Sequence, residues 1–315
     1  QIPGTLDGGV RSTGGAQNTT VLITDKARVK ESVYGGASNG PGAVSGNKVE
    51  ILGDAWVDEK VNGGSSSSGA VSRNEVHVGG AAGVGEATRA GYSFGGEVTD
   101  NVAIVDGQAK LYGTLSGGHS AVGAARGNRA TLSGNAKIIG APARGGSGYT
   151  LAANNTVILS DHAQALVGII GGVAPQQAVG NTAIVGDDVQ VGEVFGGLSA
   201  LGTATGNRVE ISGRAKVSRD VAGGMSLATD GTGHVTGNTV LISGTPEFLG
   251  ENMNIYGGRT DSGRATGNTV VISGAPKFAT DGLTGTSIIG GSSDLAGADT
   301  FTGNTLEVRT TGLMF

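Results

Sequence analysis

Asparagine returns along this chain at a nearly fixed interval, and that periodicity limits the available folds more than any other feature. It stands at Asn18, Asn47, Asn74, Asn101, Asn128, Asn155, Asn181, Asn207, Asn238, Asn268 and Asn304. The intervals are 29, 27, 27, 27, 27, 26, 26, 31, 30 and 36 residues. A period of this length marks a repeat architecture, in which each repeat is one small unit stacked on the next. A second mark falls mid-repeat. It is a glycine pair, at Gly35-Gly36, Gly63-Gly64, Gly117-Gly118, Gly145-Gly146, Gly171-Gly172, Gly196-Gly197, Gly223-Gly224, Gly257-Gly258 and Gly290-Gly291. The third full repeat departs, with Ala90-Gly91 and then Gly95-Gly96.

Apolar residues keep step with these marks. Two positions after the asparagines from Asn47 onward come Val49, Val76, Ala103, Ala130 and Val157, and four positions after come Ile51, Val78, Val105, Leu132 and Leu159. Pairs such as Ala55/Val57, Ala109/Leu111 and Pro246/Phe248 continue the alternation, and Val44, Val71, Val98, Ala125 and Phe301 stand three positions before an asparagine. Spacing within each segment is two, the strand period rather than the helical one. Short strands restarted at fixed turns describe one coil of an all-β, single-stranded parallel β-solenoid. About ten coils of roughly 27 residues are expected. The columns should fill one continuous dry interior, with glycine and asparagine taking positive φ at the corners. Stacked asparagines are expected to exchange amide hydrogen bonds. With strands about 4.8 Å apart, ten coils make a rod roughly 50 Å long. A right-handed winding and one continuous domain over residues 1–315 are expected.

Composition excludes several alternatives. Glycine accounts for 62 of 315 residues, but without the three-residue period and proline content of collagen. A hydrophobic share of 37% argues against a disordered linker. The net charge of −5 comes without a basic stripe, so nucleic acid is not an expected partner. The apolar runs are too short for a membrane-spanning helix. The absence of cysteine excludes disulfides and thiolate sites. The opening residues do not resemble a signal peptide, and Thr305-Leu306-Glu307-Val308 repeats the internal pattern close to the end. A segment of a longer rod is therefore expected.

Gly-Asn-Thr-Val-Leu-Ile-Ser-Gly at 237–244 and Gly-Asn-Thr-Val-Val-Ile-Ser-Gly at 267–274 resemble repeats of bacterial type V autotransporter passengers. The run Tyr256-Gly257-Gly258-Arg259, followed by Ser262-Gly263-Arg264-Ala265-Thr266-Gly267-Asn268, is similar in style. The likeness covers nearly the whole chain and weakens around 79–100. It implies a β-helical stalk secreted to the cell surface of a Gram-negative bacterium, held at the outer membrane by a domain absent from this chain. It also implies adhesion, through a host or bacterial surface protein or glycan or through self-association. A shared scaffold does not by itself determine function.

Catalytic and metal-binding patterns are sparse. Asp187-Asp188 and Asp161-His162 occupy equivalent turns in neighbouring repeats, where paired carboxylates would suit glycan cleavage. Solvated turn residues explain them better, because aspartate is common in turns. His77, His119, His162 and His234 fall at different repeat positions, which does not suit a metal cluster. Gly145-Gly146-Ser147-Gly148 starts like a calcium-binding nonapeptide but does not repeat. Gly91-Tyr92-Ser93-Phe94-Gly95 has the spacing of a nucleophile elbow but lacks the strand-to-helix context that such a turn needs. The column one position after asparagine holds five threonines, but lysine, glutamate and arginine interrupt it, against an ice-binding ladder. No cofactor, metal or catalytic residue is expected.

Three features point to binding. Ile158 with Ile184, and Leu241 with Val271, should stack as aliphatic patches on an outward column. Tyr34, Phe195 and Tyr256 each precede a glycine pair and offer rings to a sugar or to corner packing. The late repeats are enlarged, so loops are expected within 226–236, 249–254, 279–287 and 292–300. These would carry Asp230, Glu251, Asn252, Asp281, Asp294 and Asp299 on a mildly acidic rim. The expectation is a non-catalytic adhesin or stalk segment. The alternative is a carbohydrate-active β-helix enzyme acting on acidic polysaccharide.

Overall fold

Strand period and corner chemistry combine into a triangular circuit that each repeat completes once. A computed structural model describes residues 1–279, 285–294 and 301–309. The coil after Asn47 is representative. Lys48–Ile51 runs along one side, Trp56–Val57 and Val61–Ser66 along a second, and Val71–Ser72 along a third. Each strand pairs in parallel with its counterpart one coil away: Glu75 with Lys48, Gly83 with Trp56, Thr88 with Val61, and Val98 with Val71. Among the described residues this stacking gives three sheets of 11, 20 and 10 strands. They are named here first, second and third in the order the chain visits them. The chain is a parallel β-solenoid of about ten coils without helix among the described residues.

The expected columns point inward. Val49, Val76, Ile51, Val78, Ala55 and Val57 are fully buried, as are their counterparts along most of the rod. The interior is not one continuous apolar core, however. Residues on the third sheet form two satellite clusters, Ala16/Val44/Val71/Val98 and Ala178/Ala204/Val235/Ala265. The asparagines that follow them set these clusters apart from the main core. Phe301, Leu306 and Val308 are also exceptions. They are exposed in the last described strands of their sheets, which stack on one side only.

The corner asparagines turn inward as a buried ladder. From Asn47 to Asn268, each Nδ2 donates to Oδ1 of the next coil's asparagine at 2.8–3.0 Å. The same Oδ1 accepts the preceding asparagine's backbone N–H at 2.9–3.1 Å. Nδ2 also reaches a third-sheet carbonyl of the previous coil, as Asn155 does to Ala125 at 3.0 Å. A primary amide has two donors and one carbonyl, which suits it to this three-way junction.

Two sequence expectations need correction here. Asn18 is not in the ladder: Thr20 pairs with Lys48, which places Thr19 opposite Asn47. Thr19 donates its N–H and its hydroxyl to Asn47 Oδ1 in place of an amide. The ladder asparagines also do not take positive φ. The residue before each one does, including Gly46, Arg73, Asp100, Gly127 and Asn154, and Asn18 does the same before Thr19.

The glycine pair leaves room for the ladder. A Cβ on Gly172 would lie 2.2 Å from Asn181 Oδ1, and one on Gly171 would lie 2.3 Å from the Gly196 carbonyl oxygen. In the third repeat the equivalent pair is Ala90-Gly91, because Gly91 pairs with Gly64 and Gly118.

Enlarged coils shed their extra residues outside the sheets, since register is maintained across them: Ala204 meets Val235, and Ile255 meets Ile288. Residues 227–234 leave the strands, whereas Ser226, Val235 and Thr236 stay in them. Only part of 249–254 is loop. Met253 packs into the main core and Asn254 opens a strand, because an apolar side chain there gains more by burial than by projecting. Ser287, Ser292 and Ser293 also belong to a strand. Asp281 and Asp299 lie outside the described residues.

Asn155→Ala should strand the amide and N–H of Asn128 and the Ala125 carbonyl, at about 1–3 kcal/mol for each buried polar group. A loss of about 3–5 kcal/mol in urea denaturation is expected. An unchanged midpoint would show that the ladder contributes nothing.

Gly172→Ala should destabilise clearly more than Gly206→Ala. Gly206 has φ +62 and no atom within 4 Å of a new Cβ, so only the left-handed strain of about 1–2 kcal/mol applies there. Equal midpoints for the two variants would contradict the crowding at Gly172.

Candidate functional site

The second sheet carries a column that the core does not use. The residue before each glycine pair stacks in register as Tyr34, Asn62, Arg89, Ser116, Arg144, Ile170, Phe195, Ala222 and Tyr256. The residue after the pair stacks beside it as Tyr92, His119, Ser147, Val173, Leu198 and Met225. Ile170, Phe195 and Ala222 form an apolar cluster separate from the main core, yet each is at most 7% exposed. They form the floor of a furrow. Chain leaving the short strands, such as Ser218, Arg219 and Asp220, makes one wall, and Leu198 and Met225 lie along the other.

The furrow changes character along its length. Its C-terminal half is apolar and holds a cavity of about 530 Å³ lined by Phe195, Leu198, Met225 and Met253. Glu193 also borders that cavity, and burial pushes its carboxyl above the usual range. The N-terminal half is polar: it carries Arg89 and Arg144, and Asp7 heads the same column beside Tyr34. Arg89 lies over the Tyr92 ring at 5.3 Å, and Tyr92 stacks on His119 with centroids 5.7 Å apart. A cavity of about 450 Å³ opens beside Tyr34, Ser65, Tyr92 and Phe94. Burial pushes the Arg89 and Arg144 guanidiniums below the usual arginine range. His119 falls to about 4, chiefly through burial and further through the charges of Arg89 and Arg144. Two polar atoms here are buried without a partner, Arg144 Nε and Asn62 Oδ1.

The other sequence candidates lie in different places. Asp161 and Asp187 share one turn column and brace it: the Gly134 N–H donates to Asp161 at 2.8 Å, and the Asp161 N–H donates to Asp187 at 3.0 Å. Asp188 holds Arg214 through two hydrogen bonds of 2.6 Å, and this partner lowers its pKa. These carboxylates are engaged in turn structure and ion pairing. His77 pairs with Asp106 at 2.9 Å and His234 accepts the Arg264 N–H, while among the described residues no three metal-binding side chains converge.

Ile158 pairs with Ile184 and Leu241 with Val271 on the outer face of the first sheet, all half-buried. Asp230 is exposed and accepts from the Thr232 N–H and hydroxyl. Asn252 and Asp294 are exposed too. Two enlarged coils do reach the furrow, because Leu227 and Glu251 line its apolar cavity.

Of the furrow residues, sequence reasoning named Tyr34, Phe195 and Tyr256 as candidate rings and Glu251 as a loop residue. Asn62, Arg89 and Arg144 were missed, although the same signal marks them: each precedes a glycine pair or its Ala-Gly equivalent. Comparison with protein families, curated proteins and solved structures finds no match for this chain.

The His119 shift implies a pH dependence. The ring stays neutral in the folded chain down to about 4, whereas unfolded it titrates at 6.5. Its contribution is therefore complete above pH 6.5 and is lost as pH falls toward 4. In His119→Gln, the urea midpoint should fall less steeply between pH 7 and 4 than in the parent. Parallel curves would contradict a buried neutral histidine.

Proposed function

We propose that this chain is a segment of a secreted, surface-displayed β-helical adhesin or stalk of the autotransporter passenger type, which binds a partner along the side of the rod without catalysis. The observation that carries this proposal is the furrow of the second sheet. It runs along the solenoid and presents rings, guanidiniums and an apolar floor from a column the core does not need. Rigid strands hold that column, so binding costs little ordering of the protein. The resemblance of the repeats at 237–244 and 267–274 to passenger repeats supports the same assignment.

A second function has one specific observation in its favour. The raised pKa of Glu193 in an apolar cavity is what a general acid for glycan cleavage needs. A carbohydrate-active enzyme for acidic polysaccharide is the alternative.

Beads coated with the protein should attach to one another or to target cells. Leu198→Asn with Met225→Asn, at the mouth of the apolar cavity, should cut attachment at least fivefold while the strand spectrum is preserved. If Ile158→Lys with Ile184→Lys is the damaging pair instead, the contact lies on the first sheet. Release of new reducing ends from acidic polysaccharide, abolished by Glu193→Gln, would replace adhesion with catalysis.

A further inference from the structure

We propose that the polar half of the furrow is a binding track for a linear anionic polysaccharide, in which Arg89 and Arg144 each engage a carboxylate or sulfate and Asn62 accepts a sugar hydroxyl. This rests on the adhesive function above and names the class of ligand for it.

Charge is the first ground. Arg89 and Arg144 share one column, separated only by Ser116. The contact of Arg89 is the Tyr92 ring, and Arg144 Nε is buried without a partner. Glu86 acts on Arg89, and Glu193 on Arg144, only as more distant charges. Several arginines elsewhere on the rod are ion-paired, as Arg214 is with Asp188 and Arg126 with Glu97. A desolvated cation without a counter-charge is costly, and two in one column repel. An anionic ligand removes both penalties and supplies acceptors for the guanidinium forks.

The second ground is the stranded acceptor. Asn62 is 3% exposed, and its Oδ1 has no donor. Buried acceptors are normally satisfied, so a ligand that brings hydroxyl donors as well as anions fits this half of the furrow. A sugar acid or sulfated sugar carries both groups.

Geometry supplies the third. Two coils separate the guanidiniums, roughly 10 Å along the rod. One coil advances by a distance close to the rise of a single residue in an extended pyranose chain. A linear polysaccharide lying along the axis would thus meet the same column coil after coil. Tyr34, two coils before Arg89 in the same column, offers an aromatic ring beside the track. His119 is neutral at pH 7, so the guanidiniums supply the local positive charge.

The test uses the whole chain with heparin and polygalacturonate as probes and dextran as the neutral control. Binding to at least one of the two polyanions is expected. Arg89→Gln and Arg144→Gln should each weaken it about tenfold, the worth of a charge-assisted hydrogen bond. Each should also reduce the salt dependence of log K by about one. Arg126→Gln, which removes an ion-paired cation elsewhere, should leave binding unchanged.

Thermal stability separates binding from structure. Loss of an unpaired buried charge should leave the melting temperature of Arg144→Gln equal or higher. A lower melting temperature with unchanged binding would make the arginine structural and overturn the proposal. Tighter binding of poly-L-glutamate or oligothymidylate would give the track to a peptide or a nucleic acid and overturn it equally. If attachment depends on Leu198 and Met225 but no acidic polysaccharide binds, this inference alone falls. If polysaccharide binds through the arginines but coated beads never attach, the adhesive function alone falls.

Discussion

A buried primary amide, repeated coil after coil from Asn47 to Asn268, governs much of this rod. Each ladder asparagine gives one amide proton to the next coil, gives another to a carbonyl of the coil before, and accepts twice on its oxygen. Placed singly in an apolar interior, such a group would be destabilising. Placed in every coil at the same point, it satisfies its neighbours and is satisfied by them. The surroundings follow from its size and position. The second glycine of each pair is bare where the amide needs space, and the preceding residue takes positive φ to turn the side chain inward. A small residue, alanine or valine, faces it from the third sheet in most coils.

That arrangement divides the labour among the columns. Inward positions are held to a narrow choice of volumes, because each side chain lies between its counterparts above and below. The outward column of the second sheet is spared this restriction, and its residues range from serine to tyrosine and arginine. Variation there does not disturb the strands beneath. The coexistence of two half-buried guanidiniums with phenylalanine and isoleucine in one row is intelligible on this basis.

The strand period and the asparagine interval made the solenoid legible, because both are direct consequences of stacking like on like. The interior columns could be read from Val49, Ile51 and their equivalents, and the aliphatic pairs Ile158/Ile184 and Leu241/Val271 stack as expected. The ladder was only partly legible. Thr19 shares no letter with asparagine, but it supplies donors at the same place, so letter matching selected Asn18 one residue too early. Met253 was hidden for a different reason: an insertion can return a single side chain to the core without extending a strand. The furrow was hardest to see. Part of its lining comes from the chain at 218–220, which leaves no periodic trace. The aromatic members of the column drew notice through their chemistry, while Arg89 and Arg144 carried no such cue.

The ladder has a direction. Between amides, each Nδ2 donates to the next coil and each Oδ1 accepts from the one before, so the two sides of a coil differ and the contact between coils is heterologous. Such contacts close into rings only when rotation intervenes; here stacked strands translate along an axis, and they propagate as an open series. Coil number is consequently a heritable length. Duplication of one coil would preserve every hydrogen bond of the ladder and move all groups beyond it by one strand spacing, about 4.8 Å. Spacing between ligand-binding groups on the rod can thus evolve in fixed steps, independently of the residues that hold the rod together.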